Sequence, residues 1–352
     1  MASSAQDWYR ISDTDRLDSP VLVVYPERVK ANIALAIEMA GDPVRLRPHV
    51  KTHKSPDVTR LMLEAGIHKF KCATIAEAEM LAMAGARDVL LAYQPVGPKL
   101  QRFIALVRQY PAVKWACLTD NEEALRAMGA AFAAAGVTMP VYLDLNVGMN
   151  RTGIAPDGEA FRLYRSAEDT KGVAPVGLHA YDGHIRDVDF EQRKQKCDDA
   201  FEGVAALRQA LRHDGFDDIT VIAGGSPSFS VHCRRREVEC SPGTFIYWDK
   251  GYSDGCPEQG FLPAALVISR VVSLPAAGRL CLDLGHKSIA AENELTRRVY
   301  FLNAPDWKAV GHSEEHLVME AADGHGHHPG DIVYGLPFHI CPTVNLYERV
   351  YT

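Results

Sequence analysis

"HKFKCATIAEAEMLAMAGARDVLLAY", His68–Tyr93, carries the pattern that decides the fold. "HKFKCA" (His68–Ala73) has the length and apolar content of a short buried strand. "TIAE" (Thr74–Glu77) is a capping box, in which hydroxyl and carboxylate satisfy N–H groups at a helix start. Gly85 closes that helix. "DVLLAY" (Asp88–Tyr93) is a second strand. Strand, helix and strand joined by short turns predict a βαβ unit with parallel strands.

The same alternation extends both ways. Upstream, "VRLRPHV" (Val44–Val50) reads as a strand. The helix after it has Ser55 as N-cap, Pro56 in the first turn and Gly66 beyond its end. Downstream come strands "VKWACLT" (Val113–Thr119), "PVYLDLN" (Pro140–Asn146), "APVGLHA" (Ala174–Ala180), "DITVIAG" (Asp218–Gly224) and "REVEC" (Arg236–Cys240). Eight short strands, most followed by a helix, predict an α/β fold, a closed (β/α)₈ TIM-type barrel. An open doubly wound sheet is the alternative. Past Gly243 the texture becomes strand-like runs split by turns, a C-terminal β domain. The expected division is a barrel over 26–245 and a β domain over 1–25 and 246–352. "SPVLVVYP" (Ser19–Pro26) is expected to add a strand to that β domain.

Composition narrows the class. The net charge of −7 gives no global basic field to attract nucleic acid or anionic lipid. No apolar run reaches the roughly 20 residues of a membrane helix. The polar opening predicts no signal peptide. Eight scattered cysteines without a CxxC pair predict reduced thiols and a cytoplasmic protein.

Barrel active sites lie at the C-terminal ends of the strands. There the expected strand ends place Lys51, Arg151, Tyr181, His184 and Gly224-Gly225-Ser226. Lys51 sits in "RPHVKTHKSP" (Arg47–Pro56), crowded by Arg45, Arg47, His49, His53 and Lys54. Like charges disfavour protonation, so its amine is expected to be nucleophilic and able to form an imine. A solvated basic loop is the bland alternative. "AGGSPSFS" (Ala223–Ser230) and "SPGTF" (Ser241–Phe245) follow strands seven and eight, where barrels commonly bind phosphate on backbone N–H groups. An ordinary Gly-Gly turn is the alternative.

Two histidine motifs remain. In "FHICPT" (Phe338–Thr343) an extended strand would put His339 and Cys341 on one side, as two metal ligands with open positions beside them. Two buried core residues are the alternative. "DGHGHHPGD" (Asp323–Asp331) reads as a polar turn between strands.

Together "RPHVKTHK", "VGMNRTG", "GLHAYDGH", "GGSPS", "SPGTF", "LDLGHKS" and "HICPTVNLY" resemble the D-threonine aldolase and D-serine dehydratase group, fold-type III pyridoxal-phosphate enzymes related to alanine racemase. The resemblance runs from about Asp18 to the C-terminus. It implies that Lys51 forms the internal aldimine with pyridoxal 5'-phosphate. It also implies that Gly224, Gly225, Ser226, Gly243 and Thr244 hold the phosphate, and that Arg151 and Tyr181 lie by the cofactor's phenolic oxygen and ring. His339 and Cys341 would bind a divalent metal (Mn²⁺, Zn²⁺ or Mg²⁺). Ser241 stands where alanine racemase has an arginine on the pyridine nitrogen, which argues against racemisation.

The implied activity is a lyase on β-hydroxy-D-amino acids of the D-threonine aldolase type, giving glycine and an aldehyde, in a homodimer. His49, His184 and metal-bound water are the candidate bases. A dehydratase acting on D-serine or D-threo-3-hydroxyaspartate, giving a keto acid and ammonia, is the alternative. A non-enzymatic pyridoxal-phosphate homeostasis protein and a phosphate-binding barrel without pyridoxal are the others.

Overall fold

The computed structural model describes residues 7–352; the first six residues of the opening segment lie outside it. The chain divides into two compact units. One comprises Lys30–Ile246 and Gly255–Gly260, and the other Met1–Val29, Tyr247–Asp254 and Phe261–Thr352.

Strand β1 (Val21–Val24) and helix α1 (Pro26–Ala40) open the chain. Helix α2 (Pro56–Glu64) is capped by the Ser55 hydroxyl, which accepts from Val58 N–H, an arrangement that stabilises a helix by about 1 kcal/mol. Then β2 (Lys69–Cys72), α3 (Ile75–Ala84), β3 (Asp88–Leu91), α4 (Pro98–Gln109), β4 (Lys114–Thr119) and α5 (Glu122–Ala134) alternate as expected. The capping box is formed: Thr74 Oγ1 accepts from Glu77 N–H and the Glu77 carboxylate from Ala73 N–H. Gly85, at φ +99°, ends α3. The unit continues through β5 (Met139–Leu145), α6 (Gly158–Asp169), β6 (Val173–Ala180), α7 (Phe190–His213), β7 (Thr220–Ala223), the short α8 (Phe229–His232) and β8 (Val238–Cys240).

Strands β2 to β8 pair in sequence order, all parallel. The expected first strand is different. Pro43–Arg45 is a 3₁₀ turn, and only single bridges follow, Leu46 to Cys240 and His49 to Lys71. Pro48 has no N–H to give a ladder, which accounts for the interruption. The segment still closes the sheet. Arg47 N–H donates to Cys240 O at 2.8 Å on one edge, and Lys71 N–H to Pro48 O at 2.8 Å on the other. The fold is thus a βα barrel of seven full parallel strands whose eighth position is a proline-broken bridge.

The other unit is antiparallel. It contains α9 (Lys250–Gly255, whose last residue falls in the barrel unit), β9 (Ala265–Ala276), β10 (Arg279–Leu282), β11 (Val299–Phe301), β12 (Lys308–His312), β13 (Leu317–Glu320), β14 (Ile332–Pro337) and α10 (Ile340–Val344). The sheet order is β11-β14-β9-β10-β13-β12. The N-terminal β1 pairs with β9, Val21 opposite Ile268. Among the described residues no helix is long and apolar enough to cross a membrane. None of the eight cysteines is in a disulfide.

Candidate active site

The barrel's strand ends bring Lys51, Arg151 and Gly225 around one aromatic ring, that of Tyr181. Tyr181 follows β6 directly. The Nζ of Lys51 lies 5.7 Å from the Tyr181 ring centroid, and Arg151 Cζ 5.0 Å. Lys51 is half-buried, and among the described residues its amine has no hydrogen-bond or ion-pair partner.

The crowd of positive charge expected around Lys51 is absent. Arg45 is tied to backbone carbonyls, including Cys233 O at 3.0 Å. Arg47, 2% exposed, bonds Asp88 at 2.5 Å and Glu239 at 2.8 Å inside the barrel. Lys54 pairs with Glu77 at 3.1 Å. Burial drives the His53 pKa down to about 3, so that ring is neutral. Burial, and then Lys51 and Lys71, likewise push His49 well below its ordinary value. His49 Nδ1 accepts from Lys51 N–H at 3.2 Å, fixing the turn that presents the lysine. Close sequence spacing turned most of these groups inward or outward instead of toward one another.

The second cation in the pocket is one that sequence reasoning missed. Lys71, on β2, is 2% exposed, with Nζ 5.6 Å from the Tyr181 centroid. It lies 3.2 Å from His179 Nε2, and His179 Nδ1 lies 2.7 Å from Asp144 Oδ1. The carboxylate fixes the histidine tautomer: Nδ1–H donates to Asp144, leaving Nε2 to accept from Lys71. Burial, helped by the Lys51 charge, lowers the Lys71 pKa to about 7.

Beside Tyr181 lie the two glycine loops. Gly243 and Thr244 N–H groups converge on Ser226 Oγ at 3.2 and 2.9 Å. Gly225 N–H donates to Ser228 Oγ at 3.1 Å. The latter hydroxyl donates to Asp182 Oδ1, whose other oxygen is 2.7 Å from His232 Nε2. Gly224 has φ +79°, and a Cβ there would approach His232 to 2.8 Å. A Cβ on Gly225 would approach Tyr181 to 2.7 Å, so both positions are closed to side chains. Ser241 Oγ is buried with no hydrogen-bond partner among the described residues. A half-buried amine without a partner and a flat ring beside it fit a pyridoxal phosphate, the amine to its aldehyde and the ring to its face.

His184 is exposed after β6 and has no hydrogen-bond or ion-pair partner among the described residues. It sits next to Gly148, where a Cβ would come within 3.0 Å of its Nε2.

In the C-terminal unit "FHICPT" is not an extended strand. His339 is the N-cap of α10 and Cys341 lies within that helix, because Pro342 suits a first helical turn. The two side chains nevertheless interact. Burial opposes charge on His339, but hydrogen bonds with Cys341 and then Glu292 raise its pKa to about 9. His339 Nδ1 bonds the Glu292 carboxylate. An imidazole held by a carboxylate, with a thiol at its side, suits a divalent metal. The Asp323–Asp331 segment is the polar turn expected between β13 and β14. Among the described residues the one triad with donor atoms all within 4.8 Å is Asp182, Cys197 and His232.

Residues 24–250 match the family described as alanine racemase, N-terminal domain, and residues 264–352 match the putative serine dehydratase domain. The chain belongs to the alanine racemase N-terminal domain family. The chain is 29% identical over 341 residues to a D-threonine aldolase of Arthrobacter sp, covering 95% of this chain and 88% of that one. It is 25% identical over 327 residues to the D-threo-3-hydroxyaspartate dehydratase of Delftia sp. (strain HT23), covering 88% and 85%. The crystal structure of a D-threonine aldolase from Filomicrobium marinum superposes with a TM-score of 0.87 at 28% identity, covering 95% of this chain and 90% of that one.

Proposed function

We propose that this protein is a pyridoxal-phosphate- and divalent-metal-dependent lyase that cleaves β-hydroxy-D-amino acids, D-threonine foremost, to glycine and an aldehyde. The observation that carries the reading is Lys51, a half-buried amine without a partner facing the Tyr181 ring. The similarity to a D-threonine aldolase over 95% of the chain supports it.

The cofactor, when bound, supplies an electron sink for charge developing at the substrate's α-carbon. The protein's own groups do the rest. Lys51 would hold the cofactor through its amine. Ser226, Gly225, Gly243 and Thr244 fix the phosphate, with Gly224 shaping the turn. Tyr181 and Arg151 set the ring's position. His339 and Cys341, with Glu292 behind the imidazole, would hold the metal, which would supply Lewis acidity. His49, kept neutral by burial, and the exposed His184 are the protein's candidate bases.

Breaking the α–β bond gives glycine and an aldehyde; removing the α-proton and hydroxide and then hydrolysing the unsaturated amine with water gives a keto acid and ammonia. The dehydratase reading rests on the similarity to the Delftia enzyme. Purified protein incubated with D-threonine and with D-serine separates the two. Glycine with acetaldehyde from D-threonine supports the aldolase. Keto acid with ammonia from either substrate supports the dehydratase. Neither product from either substrate defeats both readings and leaves a cofactor-binding protein. The reading includes a cytoplasmic homodimer, the dimer checked by sedimentation.

A further inference from the structure

Lys71 is a buried amine with no carboxylate partner among the described residues. Its Nζ has one hydrogen-bond partner among the described residues, the neutral imidazole of His179, and no carboxylate at ion-pair distance. Buried charges are ordinarily paired, because removing an ion from water costs several kcal/mol. The charged and titratable groups around it are Arg47, His49 and Lys51 from the bridging segment and its turn, Asp144 from β5, Arg151 after β5, His179 from β6, and Tyr181 and Asp182 beyond β6. Asp144 is occupied by His179, and Asp182 by Ser228 and His232. Lys51 and Arg47 repel it. The chain thus aims an ammonium donor into the pocket over Tyr181, steadies it from behind with an Asp–His pair, and gives it no anion.

We propose that Lys71 is a second ligand-binding lysine of this site, a positioning residue. Its ammonium pairs with an anionic oxygen delivered over Tyr181, either the ring oxygen of the cofactor or the carboxylate of the amino acid. It forms no imine. The inference rests on the pyridoxal-phosphate reading above and deepens it. Burial and Lys51 hold the Lys71 pKa at about 7, so without a bound anion the amine is mostly neutral at pH 8. A bound anion raises that pKa, so binding takes up a proton.

The test uses 4-deoxypyridoxine 5'-phosphate, which keeps ring oxygen and phosphate but has no aldehyde to react with Lys51. Proton uptake is measured at pH 8 by calorimetry in buffers of different ionisation enthalpy, with cofactor-free full-length protein. Wild type is expected to take up close to one proton more than Lys71→Met. Its affinity relative to that variant should fall by up to about tenfold per pH unit above pH 7. Lys71→Arg, charged throughout, should bind without the extra proton. It also carries the test if Lys71→Met unfolds, as judged by the melting midpoint.

Propionate on the cofactor-loaded protein is the second arm. An extra proton seen only there assigns the oxygen to the substrate carboxylate. Equal affinity and equal proton uptake in wild type and variant with both probes overturn the inference. So does the same extra proton with inorganic phosphate alone, which would place Lys71 in the phosphate cradle. Failure of wild type to bind the pyridoxal analogue overturns the cofactor reading and this inference together.

Discussion

The Oγ of Ser228 donates to Oδ1 of Asp182 at 2.5 Å while accepting from the N–H of Gly225. One hydroxyl therefore ties the glycine loop after β7 to the strand end that carries Tyr181. Removing it leaves a buried carboxylate oxygen and a backbone N–H short of a partner, a loss of about 1–3 kcal/mol. Ser228→Ala should weaken pyridoxal phosphate binding roughly tenfold or more, read by absorbance titration. Metal affinity should not change.

Arg47 predicts stability without affinity. It is buried and bridges Asp88 and Glu239 within the barrel. Replacing it with methionine removes the partner of Asp88 and leaves Glu239 to Lys69 alone, and breaking a buried pair costs about 3–5 kcal/mol. The urea midpoint should drop accordingly. The cofactor affinity of the folded fraction should stay within about twofold.

His53 sets a pH dependence of folding. Its pKa is about 3 in the folded chain, lowered by burial, against 6.5 in the open. The unfolded state therefore binds the proton more readily below pH 6.5. Stability is full above 6.5 and declines as the pH falls toward 3, by about 1.4 kcal/mol per unit from this residue. Denaturant melts from pH 7 to 4.5 should show a shallower slope in His53→Gln than in wild type.

Glu292 is predicted to act on the metal through His339. Outer carboxylates that orient a ligating histidine typically contribute 10–100-fold in metal affinity. Glu292→Gln should weaken Zn²⁺ or Mn²⁺ binding by about that factor, measured by competition with a chelator. Pyridoxal phosphate binding should be unaffected.

Much of this was legible because helix ends announce themselves chemically. Ser55, Thr74 with Glu77, and Gly85 marked the βα units that the barrel shows. The first strand misled because its apolar pattern is intact while Pro48 removes the ladder donor. Strand β12 escaped notice because Gly311, at a register shift, breaks its alternation. For His339 and Cys341 the partnership was readable and the conformation was not, since Pro342 favours a helical turn over a strand. Lys71 was hidden by a different cause. "KFKC" looks like any surface-edged strand, and only closure of the sheet reveals that Lys71 faces His179 across the barrel. Inward polar positions carry no local signal; they become visible only when opposite strands are known.

The most direct test of the central claim is reduction of the cofactor-loaded protein with borohydride, followed by mass spectrometry of its peptides. A pyridoxyl-phosphate adduct on Lys51, absent in Lys51→Ala, is the predicted result. An adduct on Lys71, or none on any lysine, would contradict the account.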